Sequence, residues 1–342
     1  MQSRRIGRTD LALSEIGFGC GGNAGLMVRG SEMEQERAVG RALDLGITYF
    51  DNSPDYGDGR AEEALGRVLK TLKARPLVNS KVEVRAENLS DIPGHIERSV
   101  DATLQRMGLD HLDVLQIHNG PSARPVKLEG RGYTRLGIQD YFRAEGAIEG
   151  IERVVRAGKA RFSGFICRGG DGDEVRQVLA TGAFHLINVP YTLLNPTAGY
   201  AMGADLAGLT PDYGNVLEAA HAAGAGSAIY SPVAGGFLTD DFADDSPRHP
   251  LARPARGEAA SIEATRGKVR ALKLALAGTG LTLAQAAIRF CLMHQGVTTV
   301  LGGFSSVEQM EEIVAAAGAP AFDAEVMTRL ETLWGTDFRR VE

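Results

Sequence analysis

The chain has 342 residues, 44% apolar and 23% charged, enough material for a large buried core. Its formal charge of −6 is spread without a basic arm or stripe, which argues against a nucleic-acid partner. No apolar run approaches the ~20 residues a membrane helix needs, and the start MQSRRIGRTD lacks the apolar stretch of a secretory signal, so no membrane association and a cytoplasmic location are expected.

Short apolar or β-branched runs recur at 16–18, 47–51, 77–81, 113–118, 160–166, 186–189, 227–231 and 298–301. Segments of helical period lie between them at 32–45, 61–72, 92–107, 147–157, 173–180, 215–223 and 283–293. Ser31 with Glu34, Thr282 with Gln285 and Ser306 with Gln309 have capping-box spacing and mark three helix starts. Strands alternating with helices predict a parallel sheet, and eight of them suit closure. The expected fold is therefore α/β, a (β/α)8 TIM barrel spanning residues 1–342 as a single domain. An open, doubly wound sheet competes with it, but GFGCGG after the first strand lacks the third glycine such a fold wants. Two long segments fall outside the repeat, 119–144 after the fourth strand and 233–260 after the seventh. Loops of that length tend to be lids or binding loops, and both would rise on the catalytic rim. A further helix is expected at 262–276, and another at 324–334 across the outside or base, on the spacing of Val326, Leu330 and Leu333. Cys20, Cys167 and Cys291 stand far apart in apolar stretches, which suits a reducing compartment rather than a disulfide framework.

Four polar residues, Asp51, Tyr56, Lys81 and His118, stand at or just past the ends of consecutive predicted strands. In a parallel barrel those ends share one rim, so distant residues converge. Reducing a carbonyl requires hydride at carbon and a proton at oxygen. A phenol titrates near 10, about three units above neutral pH, and can supply that proton. An adjacent ammonium favours phenolate, a carboxylate keeps that ammonium charged and aimed, and an imidazole can hydrogen-bond the substrate oxygen. No metal is required. Taken singly, Asp51 could cap a turn, Tyr56 could be a rim aromatic and Lys81 a solvated strand end; the set in this order is what points to chemistry.

ITYFDNSPDYGDGRAEEALG, NSK at Lys81 and LQRMGLDHLDVLQIH ending in His118 together resemble the aldo-keto reductase family. The likeness runs from GRTDLALSEIGFG to GGFSSVEQMEE, and SSVEQ resembles the family's sugar dehydrogenases. It implies a (β/α)8 barrel using NAD(P)(H) without metal, with Asp51, Tyr56, Lys81 and His118 as catalytic tetrad. It also implies cofactor contacts. Tyr230 matches the aromatic that stacks on nicotinamide, and Ser231, Val233 and Gly235 match the loop along the pyrophosphate. Asn188 stands where a glutamine usually holds the carboxamide. Gly303, Phe304, Ser305, Ser306 and Gln309 match the segment at the adenosine ribose and its phosphate, where helix N-terminal donors suit an anion.

Two departures matter. Ile166 and Cys167 replace the Ser-Asn that usually completes the carboxamide clamp. No Lys or Arg stands in the 303–309 turn to compensate a 2′-phosphate, which leans the cofactor towards NAD, although an arginine from 247–256 could reach over. The implied substrate is a small carbonyl compound or sugar, with oligomeric state open. Arg124, Lys127, Arg131, Tyr133, Arg135, Tyr141 and Phe142 in the fourth loop read either as a lid for a polar substrate or as a solvated loop pinned by its aromatics, and loop polarity favours the second. A nicotinamide-binding regulatory subunit with little turnover is the rival to an enzyme.

Overall fold

Parallel strands covered by helices bury both faces, which is why they read as apolar runs. Eight of them, Ile16–Gly19 (β1), Tyr49–Asp51 (β2), Leu77–Val82 (β3), Leu112–Ile117 (β4), Ala160–Ile166 (β5), Leu186–Pro190 (β6), Gly226–Tyr230 (β7) and Thr299–Gly303 (β8), pair in chain order around a closed barrel. The structure, a computed structural model, describes residues 1–124, 135–169, 172–200, 209, 211–255 and 257–338. Closure rules out the open-sheet alternative. Each strand is followed by a helix: Glu32–Asp44 (α1), Arg60–Leu72 (α2), Ile92–Met107 (α3), Ala147–Arg156 (α4), Gly172–Ala180 (α5), Val216–Ala222 (α6), Leu283–Met293 (α7) and Val307–Ala315 (α8).

The capping signals act locally. Ser31 and Thr282 form complete boxes with Glu34 and Gln285. At α8 only half the expected box forms. Ser306 Oγ accepts from the Gln309 N–H, but the Gln309 side chain turns to the Ser305 N–H at 3.0 Å.

Pleating assigns the barrel interior. β2 and β6 lie on opposite sides of the cylinder, so the 3.1 Å hydrogen bond from Asn188 to Asp51 runs through the inside. Alternation then sorts the interior into levels. The lowest is apolar: Tyr49, Val114, Leu186, Ala228 and Leu301 cluster with Ile6, Leu11 and Leu13. Those last three come from an N-terminal hairpin, Ser3–Arg5 paired antiparallel with Ala12–Ser14, which floors the barrel. Three-residue strands carry no readable period, and sequence patterning misses this element. Two residues above Tyr49, Val114 and Leu186 come Asp51, Gln116 and Asn188, joined by Asn79. Lys81, His118 and Tyr230 stand above them.

The long segment after β4 is partly built. Pro121–Ser122 pairs with Leu136–Gly137 and leads into a short helix, Ile138–Phe142. Tyr141 is buried against Phe165 and Phe184 and donates to the Asn119 carbonyl at 2.7 Å, an aromatic pinning the loop. Lys127, Arg131 and Tyr133 lie outside the described residues, as does Arg256 of the other loop. The helix expected at 262–276 runs Ala259–Ala275. The C-terminal helix, Ala324–Gly335, packs on it along the outside, and its end reaches past β6, where Trp334 donates to the carbonyl of Leu193. Among the described residues no helix is long and apolar enough to cross a membrane.

One buried cluster ties α2 to β3 beneath the rim. Glu62 is fully buried; it receives Ser80 at 2.6 Å, Thr103 at 3.1 Å and Arg106 at 2.7 Å. Removing the cation would strand a buried carboxylate. Arg106→Leu should lower unfolding free energy by about 3 kcal/mol, read from urea denaturation. A loss under about 0.5 kcal/mol would show that the cluster does not brace this wall.

Candidate active site

The turn that follows β2 carries the phenol. Asn52 through Tyr56 wind tightly, with the Tyr56 N–H on the Ser53 carbonyl at 3.0 Å. Gly57, Asp58 and Gly59 then all adopt positive φ before α2 begins. Only glycine adopts that backbone without strain, so two glycines flank the one residue that does not. The result fixes Tyr56 half-buried over the backbone of Gly21 in the loop after β1.

Lys81, the fifth residue of β3, is buried with its ammonium 2.5 Å from Asp51 Oδ1 and 2.6 Å from the Asn52 carbonyl. Burying two charges costs several kcal/mol per ion, which is recovered only with close geometry and further hydrogen bonds. Asp51 has them: its Oδ2 accepts from Asn79 at 2.8 Å and Asn188 at 3.1 Å. Gln116 links those two amides, donating to Asn188 at 2.7 Å and accepting from Asn79 at 3.3 Å. The ammonium stands 5.0 Å from the centre of the Tyr56 ring.

His118 follows β4 and is buried. Its ring meets Tyr56 edge to face, centroids 6.1 Å apart. Burial, aided by the positive charges of Lys81 and Arg168, pushes the imidazole down from 6.5 to about 3 and overrides the opposing pull of Asp55. The ring is neutral at physiological pH. All four residues singled out at the strand ends therefore meet at one rim. Asn79, Gln116 and Asp55 are additions that sequence reasoning missed, although Asn79 and Gln116 stand two residues before Lys81 and His118, the spacing that puts them on the same strand face.

The expected cofactor residues divide. Tyr230 ends β7 with its hydroxyl donating to the Cys167 carbonyl at 3.2 Å, and burial pushes that hydroxyl well up. Beyond it the backbone turns left-handed at Ser231 and Ala234, φ 52° and 50°, and again at Gly235. Non-glycine residues held there are strained, and such strain clusters at ligand sites. Space over Gly235 is open, for an added Cβ would meet nothing within 4 Å. That open, strained cradle fits a dinucleotide backbone beside Val233. Gly303, Ser305, Ser306 and Gln309 surround the start of α8, with Ser305 Oγ on the Ala24 carbonyl at 2.8 Å. The Phe304 ring is buried edge-on against Phe18, so its side chain serves packing. Asn188 lies deep, its amide shared between Asp51 and Gln116. Ile166 and Cys167 are buried where the rest of the clamp was expected. The loop that includes Arg248 and Arg253 crosses from β7 to β1: Arg248 donates to the Gly235 carbonyl at 3.0 Å, and the Arg253 N–H to that of Asn23 at 2.8 Å.

The Aldo/keto reductase family pattern matches residues 15–335. The chain belongs to the aldo/keto reductase family. It is 26% identical to L-glyceraldehyde 3-phosphate reductase of Escherichia coli O157:H7, over 97% of this chain and 92% of that one. Identity to L-galactose dehydrogenase of Arabidopsis thaliana is also 26%, over 97% and 94%. Among solved structures it superposes on aldo-keto reductase AKR11C1 from Bacillus halodurans (holo form) with TM-score 0.72 and 23% identity, covering 97% and 96%. The chain is an NAD(P)-dependent oxidoreductase that interconverts carbonyl and alcohol.

The neutral imidazole has a measurable consequence for stability. In the unfolded chain His118 takes up its proton below about 6.5, whereas the folded ring resists protonation down to about 3. Its contribution is thus fully present above 6.5 and declines as pH falls from there towards 3. Urea midpoints should drop over that interval in the wild type and drop less steeply in His118→Gln. Parallel curves would contradict the burial of a neutral ring.

Proposed function

We propose that Tyr56 is the proton donor in carbonyl reduction and the acceptor in alcohol oxidation, acting on small hydroxylated aldehydes, ketones or sugars with NAD as the preferred cofactor. The observation that carries this reading is the phenol held between the Lys81 ammonium and the His118 ring. When bound, the nicotinamide supplies or receives the hydride at the substrate carbon. Tyr56 gives its hydroxyl proton to the substrate oxygen and becomes phenolate, which the buried ammonium 5.0 Å from the ring centre stabilises. Asp51 compensates the ammonium and keeps it directed between itself and the Asn52 carbonyl. His118 orients the substrate at the rim, and solvent returns the proton to Tyr56.

Tyr230 would carry the nicotinamide, Ser231, Val233 and Gly235 the pyrophosphate under Arg248 and Arg253, and the main chain of Gly303 to Ser306 the adenosine ribose. Asn188 would reach the carboxamide only by sharing the amide it gives Asp51. The lean towards NAD draws support from Glu308. It occupies the first turn of α8 and lies 3.3 Å from Arg37, so the cation beside that turn is already paired with a carboxylate. The substrate class follows the names of relatives, which carry L-galactose and L-glyceraldehyde 3-phosphate. An intact acid, ammonium, phenol and imidazole favour turnover over a purely regulatory role.

Tyr56→Phe should lower kcat by 10²–10⁴-fold, roughly the worth of a positioned acid, and change NADH affinity by less than about twofold; retained turnover would remove Tyr56 from the role. Fluorescence titration should give a lower Kd for NADH than for NADPH, and Glu308→Gln should narrow the gap. An NADPH preference in the wild type would overturn the cofactor assignment.

A further inference from the structure

The residue immediately before the phenol, Asp55, has a partner of its own in the site. Its Oδ2 lies 3.2 Å from His118 Nδ1. Its Oδ1 receives Arg85 at 3.0 Å, and Arg85 also lies 3.6 Å from Glu83. Ser53 Oγ stands 3.3 Å from the same Nδ1 and accepts the Asp55 N–H at 3.2 Å. Burial alone raises the Asp55 carboxyl, but the hydrogen bonds from His118 and Ser53 and the charge of Arg85 hold the group below its ordinary value. Asp55 is ionised at neutral pH.

An ionised carboxylate only accepts hydrogen bonds, so the nitrogen facing it carries the proton. Nδ1–H facing Asp55 satisfies both; a lone pair there would face a negative charge. Ser53 adapts to either arrangement, because a hydroxyl rotates. A neutral imidazole has one N–H. With that proton on Nδ1, Nε2 presents a lone pair and cannot donate to a carbonyl oxygen. It can accept from a hydroxyl.

We propose that Asp55 is a positioning residue that holds His118 as the Nδ1–H tautomer, so that Nε2 accepts a hydrogen bond from a substrate hydroxyl next to the reacting carbon. The inference rests on the proposed reading of this rim as the place of reaction. It assigns the two proton functions separately. Tyr56 donates to the carbonyl oxygen, and His118 recognises a neighbouring hydroxyl. The substrates that profit are α-hydroxy aldehydes, polyols and sugars.

Two measurements test it. Long-range ¹H–¹⁵N correlation spectra of the wild-type protein at pH 7, assigned with His118→Gln, should show a protonated Nδ1 and an unprotonated Nε2. Kinetics with lactaldehyde and propanal, which differ by one hydroxyl, should show the preference for lactaldehyde falling about tenfold in Asp55→Leu, the worth of one hydrogen bond. Most of that change should lie in KM, with the tautomer balance moving towards Nε2–H. A wild-type ring protonated on Nε2 overturns the proposal whether or not any variant folds. So does an unchanged preference in an Asp55→Leu protein that binds NADH as the wild type does. Should neither aldehyde react, the proposed function fails, and the wild-type tautomer still decides the role of Asp55.

Discussion

The polar network beneath the rim is built on a single contact, the ammonium of Lys81 against the carboxylate of Asp51. Neither ion is tolerable there alone, and a bare pair would recover only part of its lost hydration. Three amides complete the coordination. Asn79 and Asn188 take the second oxygen of Asp51, and Gln116 links them, so the carboxylate cannot turn away from the lysine. The cation is thereby fixed in direction as well as charge. That is electrostatic preorganisation, a field already oriented before a substrate oxygen acquires charge.

The level beneath is apolar except for the Tyr49 hydroxyl, which is buried with no hydrogen-bond partner among the described residues. Tyr49, Val114, Leu186 and Ala228 meet the hairpin residues Ile6, Leu11 and Leu13. A low-dielectric floor strengthens the interactions above it and makes any unmatched polar group there expensive. Amide side chains suit the intermediate level because each offers a donor and an acceptor and carries no charge that would compete with Asp51 for Lys81.

Much of this could be read from the chain. Strands buried on both faces advertise themselves as unbroken apolar runs, and a polar residue ending such a run, as His118 ends LQI, has few places to go but the rim. Asn79 and Gln116 were legible in principle through their period-two spacing to Lys81 and His118, yet each looks like an ordinary polar residue until β2 and β6 are known to face each other. Other features have no local signature. The hairpin strands are too short to show periodicity. The left-handed turns at Ser231 and Ala234 occupy residues that do not ordinarily choose them, so tertiary context imposes the conformation. Gln309 has the right spacing to cap from Ser306, but the chain entering α8 leaves the Ser305 N–H nearer. Asp55 gains its meaning only from His118, 63 residues away.

The floor of the barrel also bears on how the chain assembles. Arg4 donates to the carbonyls of Leu292 and Val297, and Ile6 and Leu13 rest in the same cluster as Leu301. Residues 3–14 thus leave the ribosome long before the strand they must dock against, and contacts at that separation form slowly because the intervening chain must first be ordered. Until β8 emerges, the stopper has no vessel to close, and its leucines and isoleucine remain available to chaperones.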